Sequence, residues 1–305
     1  MVGKLATFEL KNLPMCCFNV SRITTREFAL ISVFAIVLTL GFFQTVNTPA
    51  SEAEEALADR RSNFALLFVG DNRPDDLGDQ SQANLLKDLR EVLESEYGVG
   101  EVSLTINGTR QEFFEVCEAM SRKIGGSRVP EGRTRNLLVV VVGHSDWVGD
   151  RIKPEEAGFP YDTAYITTSD EPPVRLYAPE FQTALRRHFD KKDLRVTIVV
   201  ANCFADAFFE DFTMHRGSWA SLAACGVNEL SHSERQGVGG DSTRLKRDFG
   251  LSVLESLRAR AEEFRRGNCP TGKDVFDDAD AANTFSKQTP AYRSNVEPFP
   301  IFNAF

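Results

Sequence analysis

The sequence predicts a mixed α/β fold, with a mainly parallel sheet of about six strands sandwiched between helices. Two observations carry this. Asn136-Leu-Leu-Val-Val-Val-Val142 and Arg195-Val-Thr-Ile-Val-Val-Ala201 are continuous apolar runs rich in β-branched residues. Such runs read as strands buried on both faces, as in a parallel sheet. Around them, strand-like and helix-like segments alternate along the chain, which points to helical layers on both faces.

The elements follow in order. Residues 64–69 are a first strand ending at Gly70-Asp71-Asn72, with a Pro/Asp/Gly-rich loop reaching Asp79. Residues 81–97 have helical period, with Leu85, Leu86, Leu89, Val92 and Leu93 on one face. Residues 102–105 are a short second strand. Asn107-Gly-Thr109 can cap a helix from Arg110 whose apolar stripe is Phe113, Phe114, Cys117 and Met120. The strand at 136–142 is followed by a long irregular stretch over 146–177, a length that is often functional beside a site. Residues 179–189 are a helix with Pro near its start. The strand at 195–201 runs into a helix over 204–212, and residues 219–224 are a fifth strand. Residues 237–243 are a glycine-rich loop and 249–264 an amphipathic helix. The tail is Pro- and Asn-rich, with late apolar residues Phe299, Ile301, Phe302 and Phe305.

Composition narrows the function classes. The chain has 305 residues, of which 26% are charged and 42% hydrophobic, ordinary values for a globular protein. A formal net charge of −9 without a basic cluster argues against nucleic acid as a partner. Six cysteines are too few for a disulfide scaffold, and no Cys/His spacing suggests zinc. No GxxxxGK phosphate loop occurs. No metal or cofactor is called for.

The N-terminus is different. Residues 28–43 are almost wholly apolar, preceded by Lys4, Lys11, Arg22 and Arg26 and followed by Glu52, Glu54 and Glu55. This pattern predicts a transmembrane signal anchor over 28–46, with 1–27 in the cytoplasm and the rest outside it. Cleavage near Thr48-Pro49-Ala50 would make the protein secreted instead. The expected organisation is then a stalk over 47–62, a domain over 63–266 and an extension over 267–305 packing on that domain.

The two apolar runs end in chemistry. One leads into Gly143-His144-Ser145-Asp146 and the other into Asn202-Cys203-Phe204-Ala205. In open α/β sheets the working residues lie just past the carboxyl ends of strands. A thiol and an imidazole brought together there make a nucleophile and its proton-transfer partner. Asp146 is placed either to hydrogen-bond His144 or to cap the local backbone. His215 and His232 fall in loops near the crevice. Cys225 and Cys269 are candidates for pairing in an oxidising compartment.

The order of parts resembles the caspase-like cysteine peptidases, and within them the legumain and glycosylphosphatidylinositol transamidase branch. There a buried strand ends in His-Gly, a second in Ala-Cys followed by small residues, and a third in Ala-Ala before a Glu-Ser-Ser stretch. Here the counterparts are Gly143-His144-Ser145, Asn202-Cys203 and Leu222-Ala-Ala-Cys-Gly-Val-Asn-Glu229-Leu-Ser231. Gly70-Asp-Asn72 and Ser81-Gln-Ala-Asn84 are similar to the family's first strand end and helix. His144 precedes Cys203 by about 60 residues, close to the roughly 50 of caspases. The resemblance covers residues 60–265 and implies a caspase-like three-layer sandwich that hydrolyses protein or peptide substrates. Cys203 would attack the carbonyl, His144 would protonate the leaving amine, and the N–H groups of Cys203 and Ser145 would form the oxyanion hole. A helix start after Cys203 would lower its pKa.

The chain also departs from the family. Ser145 stands where the family has Gly, and Ala205-Asp206-Ala207 replaces Ser-Gly-Ser. The specificity-pocket positions fall at Gln80, Ala201 and Ser231, with Arg73 in the same early loop. The first three carry no fixed charge, so neither asparagine nor aspartate selectivity is implied. The departures keep open a second reading, a catalytically inactive caspase-like domain that binds proteins. Oligomeric state is not legible.

Overall fold

The computed structural model describes residues 62–71, 80–127, 129, 133–148, 163–172, 174–231, 249–283 and 288–304. These lie within one unit, Glu54–Phe305. The expected anchor at 28–46 and the stalk up to residue 61 fall outside the described residues, as do Arg73, His232 and the loop at 237–243. Among the described residues no helix is long and apolar enough to cross a membrane.

A six-stranded sheet forms the centre. Its strands are β1 (Asn63–Val69), β2 (Glu101–Thr105), β3 (Arg135–Val142), β7 (Leu194–Ala201), β8 (Ser218–Ala223) and β9 (Ala291–Ser294), in the order β2-β1-β3-β7-β8-β9. All neighbours pair in parallel except β8 and β9. The near-continuous burial of β1, β3, β7 and β8 explains why their sequences are apolar runs rather than alternating ones.

Helices cover both faces, with α1 (Gln80–Ser95), α4 (Phe249–Arg265) and α5 (Gly272–Ala281) packed together on one. The other carries α2 (Arg110–Gly126), α3 (Ala178–Phe189) and a 3₁₀ turn, Ala205–Phe209. The split follows from right-handed crossovers, because the chain moves outward through α1 to β2 and then returns past β1 through α2 to β3. Thr109 caps α2 through a reciprocal capping box with Glu112, as expected from Asn107-Gly-Thr109. Phe113, Phe181 and Phe208 join α2, α3 and the 3₁₀ turn. On the opposite face the buried Tyr97 hydroxyl donates to the Leu257 carbonyl at 2.7 Å.

Three features differ from the sequence reading. The stretch at 146–177 contains a second sheet of β4 (Ser145–Val148), β5 (Thr163–Thr167) and β6 (Arg175–Tyr177), antiparallel throughout. The helix expected over 204–212 is only the five-residue 3₁₀ turn. The tail supplies α5 and the sixth strand, β9.

Candidate functional site

The site forms where β3 and β7 end side by side. Val142 pairs with Ala201 in the last rung of their ladder, and His144 and Cys203 each lie two residues beyond it. Gly143 turns the chain off β3 at φ +153°, a conformation that side chains disfavour. Gly70 lies beside it, and its N–H donates to the Val142 carbonyl at 3.2 Å. A Cβ on Gly70 would stand 2.3 Å from the Thr167 carbonyl oxygen. The missing side chain therefore lets β5 hang on the rim, where Asp71 N–H donates to Thr167 at 2.8 Å and Thr167 N–H donates to His144 at 2.9 Å.

That last bond also orients Ser145. In an antiparallel pair, hydrogen-bonded and non-hydrogen-bonded residues alternate. Thr167 bonds to His144, so Ser145, opposite Ile166, turns its own N–H away from β5. Its hydroxyl donates to the Cys203 carbonyl oxygen and ties the two strand ends together.

The His144 side chain is exposed on a cleft of about 450 Å³ lined also by Asp71, Ser145, Asp146, Tyr165, Thr167 and Leu230. Asp146 takes the capping alternative: Trp147 N–H donates to one oxygen at 2.8 Å and the Tyr165 hydroxyl to the other at 3.4 Å. Burial raises the Tyr165 phenol, and the Arg175 guanidinium, 4.4 Å from its ring centre, works against that.

Cys203 is half-buried, with its thiol 3.7 Å from the Ser231 carbonyl oxygen. Burial pushes the thiol above its ordinary value, and the Asp146 charge adds to the rise. The expected lowering by a helix start is absent, because one 3₁₀ turn has too few aligned peptides for a strong dipole. Phe204 enters that turn at φ +55°, a strained conformation for a bulky side chain, costing about 1–2 kcal/mol. Its N–H donates to the Glu229 carbonyl at 2.8 Å, and its ring lies 5.9 Å from that of Trp147.

Asp206, which departs from the family's small residues, has a structural partner. It receives two bonds from Arg293 on β9, at 2.7 and 2.6 Å, pinning the turn to the sheet's far edge. Asn202, immediately before Cys203, is 2% exposed, and neither polar atom of its amide has a hydrogen-bond partner among the described residues.

Of the residues singled out in the sequence, His144, Ser145 and Cys203 meet at one rim. Ala201 closes β7, and the Ser231 backbone faces Cys203, yet neither lines the cleft beside His144. Gln80 begins α1. His215 belongs to the opposite end of the sheet, ahead of β8, where its N–H donates to Asp190 at 3.1 Å. Cys225 and Cys269 are both free thiols. Two carboxylates, Asp71 and Asp146, line the cleft beside His144. Asp71 stands in the Gly70-Asp-Asn72 strand end and Asp146 beside His144, so proximity along the chain was the available signal. Tyr165, Thr167 and Leu230 reach the cleft through β5 and the loop after β8, which no local pattern announces.

No family model and no curated protein matches the chain. Among solved structures it is similar to protein GSU0716 from Geobacter sulfurreducens, with a TM-score of 0.49 and 13% identity over 80% of this chain and 97% of that one. It is also similar to caspase-1 from Spodoptera frugiperda, with a TM-score of 0.47 and 13% identity over 81% of this chain and 92% of that one. Likenesses of this size carry no argument about family or activity.

Proposed function

We propose that the chain is a cysteine endopeptidase of the caspase-like type, closest in its motifs to legumain. The observation that supports this most is the Ser145–Cys203 hydrogen bond across the ends of β3 and β7, which holds His144 and Cys203 on one rim. Cys203 adds to the peptide carbonyl, and the N–H groups of Cys203 and Ser145 stabilise the oxyanion. His144 delivers a proton to the leaving amine, and water then releases the acyl group from sulfur. Cys203 passes its proton to His144 as it adds to the bound substrate, and His144 carries that proton to the leaving amine, an order that suits a thiol raised by burial. Gln80, Ala201, Ser231 and Arg73 are proposed to contact the substrate residue before the cleaved bond.

Cys203→Ala and His144→Ala are each expected to abolish peptide hydrolysis by the full chain while leaving its melting transition in place. Full activity in either variant sinks the assignment. A second reading, an inactive caspase-like domain that binds proteins, is favoured by the absence of Cys203 from the lining of the cleft. Residues 28–46 are proposed as an anchor that leaves the domain outside the cytoplasm. Protease added to intact cells should then remove the domain, and its protection would contradict that topology.

A further inference from the structure

The proposed mechanism uses one thiol at the rim, but a second lies behind it. Cys225 follows β8 as Cys203 follows β7. The last rung of that ladder joins Val200 to Ala223, so Asn202 and Cys225 each lie two residues past it. The Cys225 sulfur is 3.3 Å from the Asn202 carbonyl oxygen, and the Ala205 N–H points at it from 3.5 Å. It therefore touches the backbone on both sides of Cys203. The two thiols also lie under the same short loop, Cys225 3.2 Å from the Glu229 carbonyl and Cys203 3.7 Å from that of Ser231. Those carbonyls are two residues apart, a span of at most ~7 Å. Glu229 fastens the loop over the pair, its carboxylate accepting from Gly226 N–H at 3.0 Å and Thr289 N–H at 2.6 Å.

We propose that Cys203 and Cys225 close a reversible disulfide that blocks the nucleophile. Their neighbouring strand ends suit the short Cα separation a disulfide needs, and closure gives up only weak thiol–carbonyl contacts. Cys117 is buried on α2 and Cys269 lies beyond α4, so neither shares this loop.

Exposure fixes the order of events, because Cys225 is 0% exposed and only Cys203 can meet an external oxidant. With glutathione disulfide as oxidant, the Cys203 thiolate attacks one sulfur, the oxidant's S–S bond breaks, and one glutathione leaves as thiol. Cys225 then loses its proton to solvent and attacks the Cys203 sulfur, expelling the second glutathione. Two protein thiols are oxidised and one glutathione disulfide is reduced. Burial pushes Cys225 up to about 11, so the second step accelerates as pH rises. The pairing requires only the two thiols; its meaning as a switch rests on the proposed role of Cys203.

The test treats the folded full chain with glutathione disulfide, blocks remaining thiols with iodoacetamide, and digests with trypsin, which separates the two cysteines at Arg216. The expected product is a Cys203–Cys225 linked peptide pair, two hydrogens lighter than its parts. Cys203 should lose iodoacetamide labelling and regain it after dithiothreitol, while Cys225→Ser or Cys225→Ala should stop at the Cys203–glutathione adduct. A wild-type chain that also stops at the adduct, links Cys203 to another cysteine, or leaves Cys203 unoxidised overturns the proposal. The readout is a mass and needs no peptidase activity. A chain that forms the link but cleaves nothing keeps the pair and loses the proposed function.

Discussion

The two ends of the central sheet are built to different standards. At the end where β1 and β3 begin, Asn63 is fully engaged: its amide donates to the Asn303 carbonyl at 2.9 Å and accepts from Asn303 N–H and the Asn136 amide. Asn303 in turn donates to Ser62 and to the Thr134 carbonyl, at 3.0 and 2.8 Å. Nearby Asp190 accepts three backbone N–H groups from residues 215–217. At the other end stand the turned-off Gly143, the strained Phe204, the unpaired Asn202 and two free thiols. Strain and unsatisfied groups persist only where the surroundings over-determine them, and they gather at functional sites. The turns at Gly143 and Phe204 set the carboxyl rim apart, while buried polar atoms without a partner among the described residues occur at both ends, Asn136 Oδ1 among them.

The comparison can be broken at either end. Gly70→Val drives a branched side chain into the Thr167 carbonyl and should have the largest effect. It is expected to cost roughly 3 kcal/mol or more of stability and to displace β5 from the rim. Thermal denaturation with peptide hydrolysis measures both losses, and a wild-type melting curve with full hydrolysis would show that the close approach is unimportant. Asn63→Ala acts on the opposite end and is expected to cost roughly 2–3 kcal/mol by stranding its buried partners. Alkylation of Cys203 in the folded variant should keep its wild-type rate, and a changed rate would mean that the two ends are coupled.

A smaller effect sharpens the contrast through pH. Burial alone would raise the Asp190 carboxyl, but the N–H groups of Gly217, Arg216 and His215 outweigh it and hold the carboxyl below the usual carboxylate range. A lowered native pKa stabilises the fold above the unfolded value of about 3.9, and the contribution vanishes as pH falls through the native value. Asp190→Asn should therefore cost about 1–2 kcal/mol at neutral pH and little at strongly acidic pH. Denaturant titrations at several pH values measure this, and an equal cost at every pH would assign the loss to packing instead.

Much of this division was readable in the chain, and what was missed has physical causes. β1, β3, β7 and β8 announce themselves because both faces are buried, and His144 and Cys203 stand just past the ends of two of them. β4, β5, β6 and β9 are short and pair antiparallel, so no long apolar run marks them. Asp206 looked like a defect in a small-residue motif because Arg293, its partner, lies far along the chain in the tail. Cys225 could not be placed beside Cys203 without the register of β7 and β8. The amide cluster of Asn63, Asn136 and Asn303 joins residues with no local periodicity, so only the fold reveals it.

The central claim is that Cys203 and His144 act as one unit on a bound peptide. It is tested most directly by labelling Cys203 with a library of peptides carrying an electrophilic carbonyl, with iodoacetamide as the substrate-independent control. The wild-type chain should take up both reagents at Cys203, and His144→Ala should lose peptide labelling while keeping iodoacetamide labelling. Equal peptide labelling with and without His144, or none in the wild-type chain, would contradict the account.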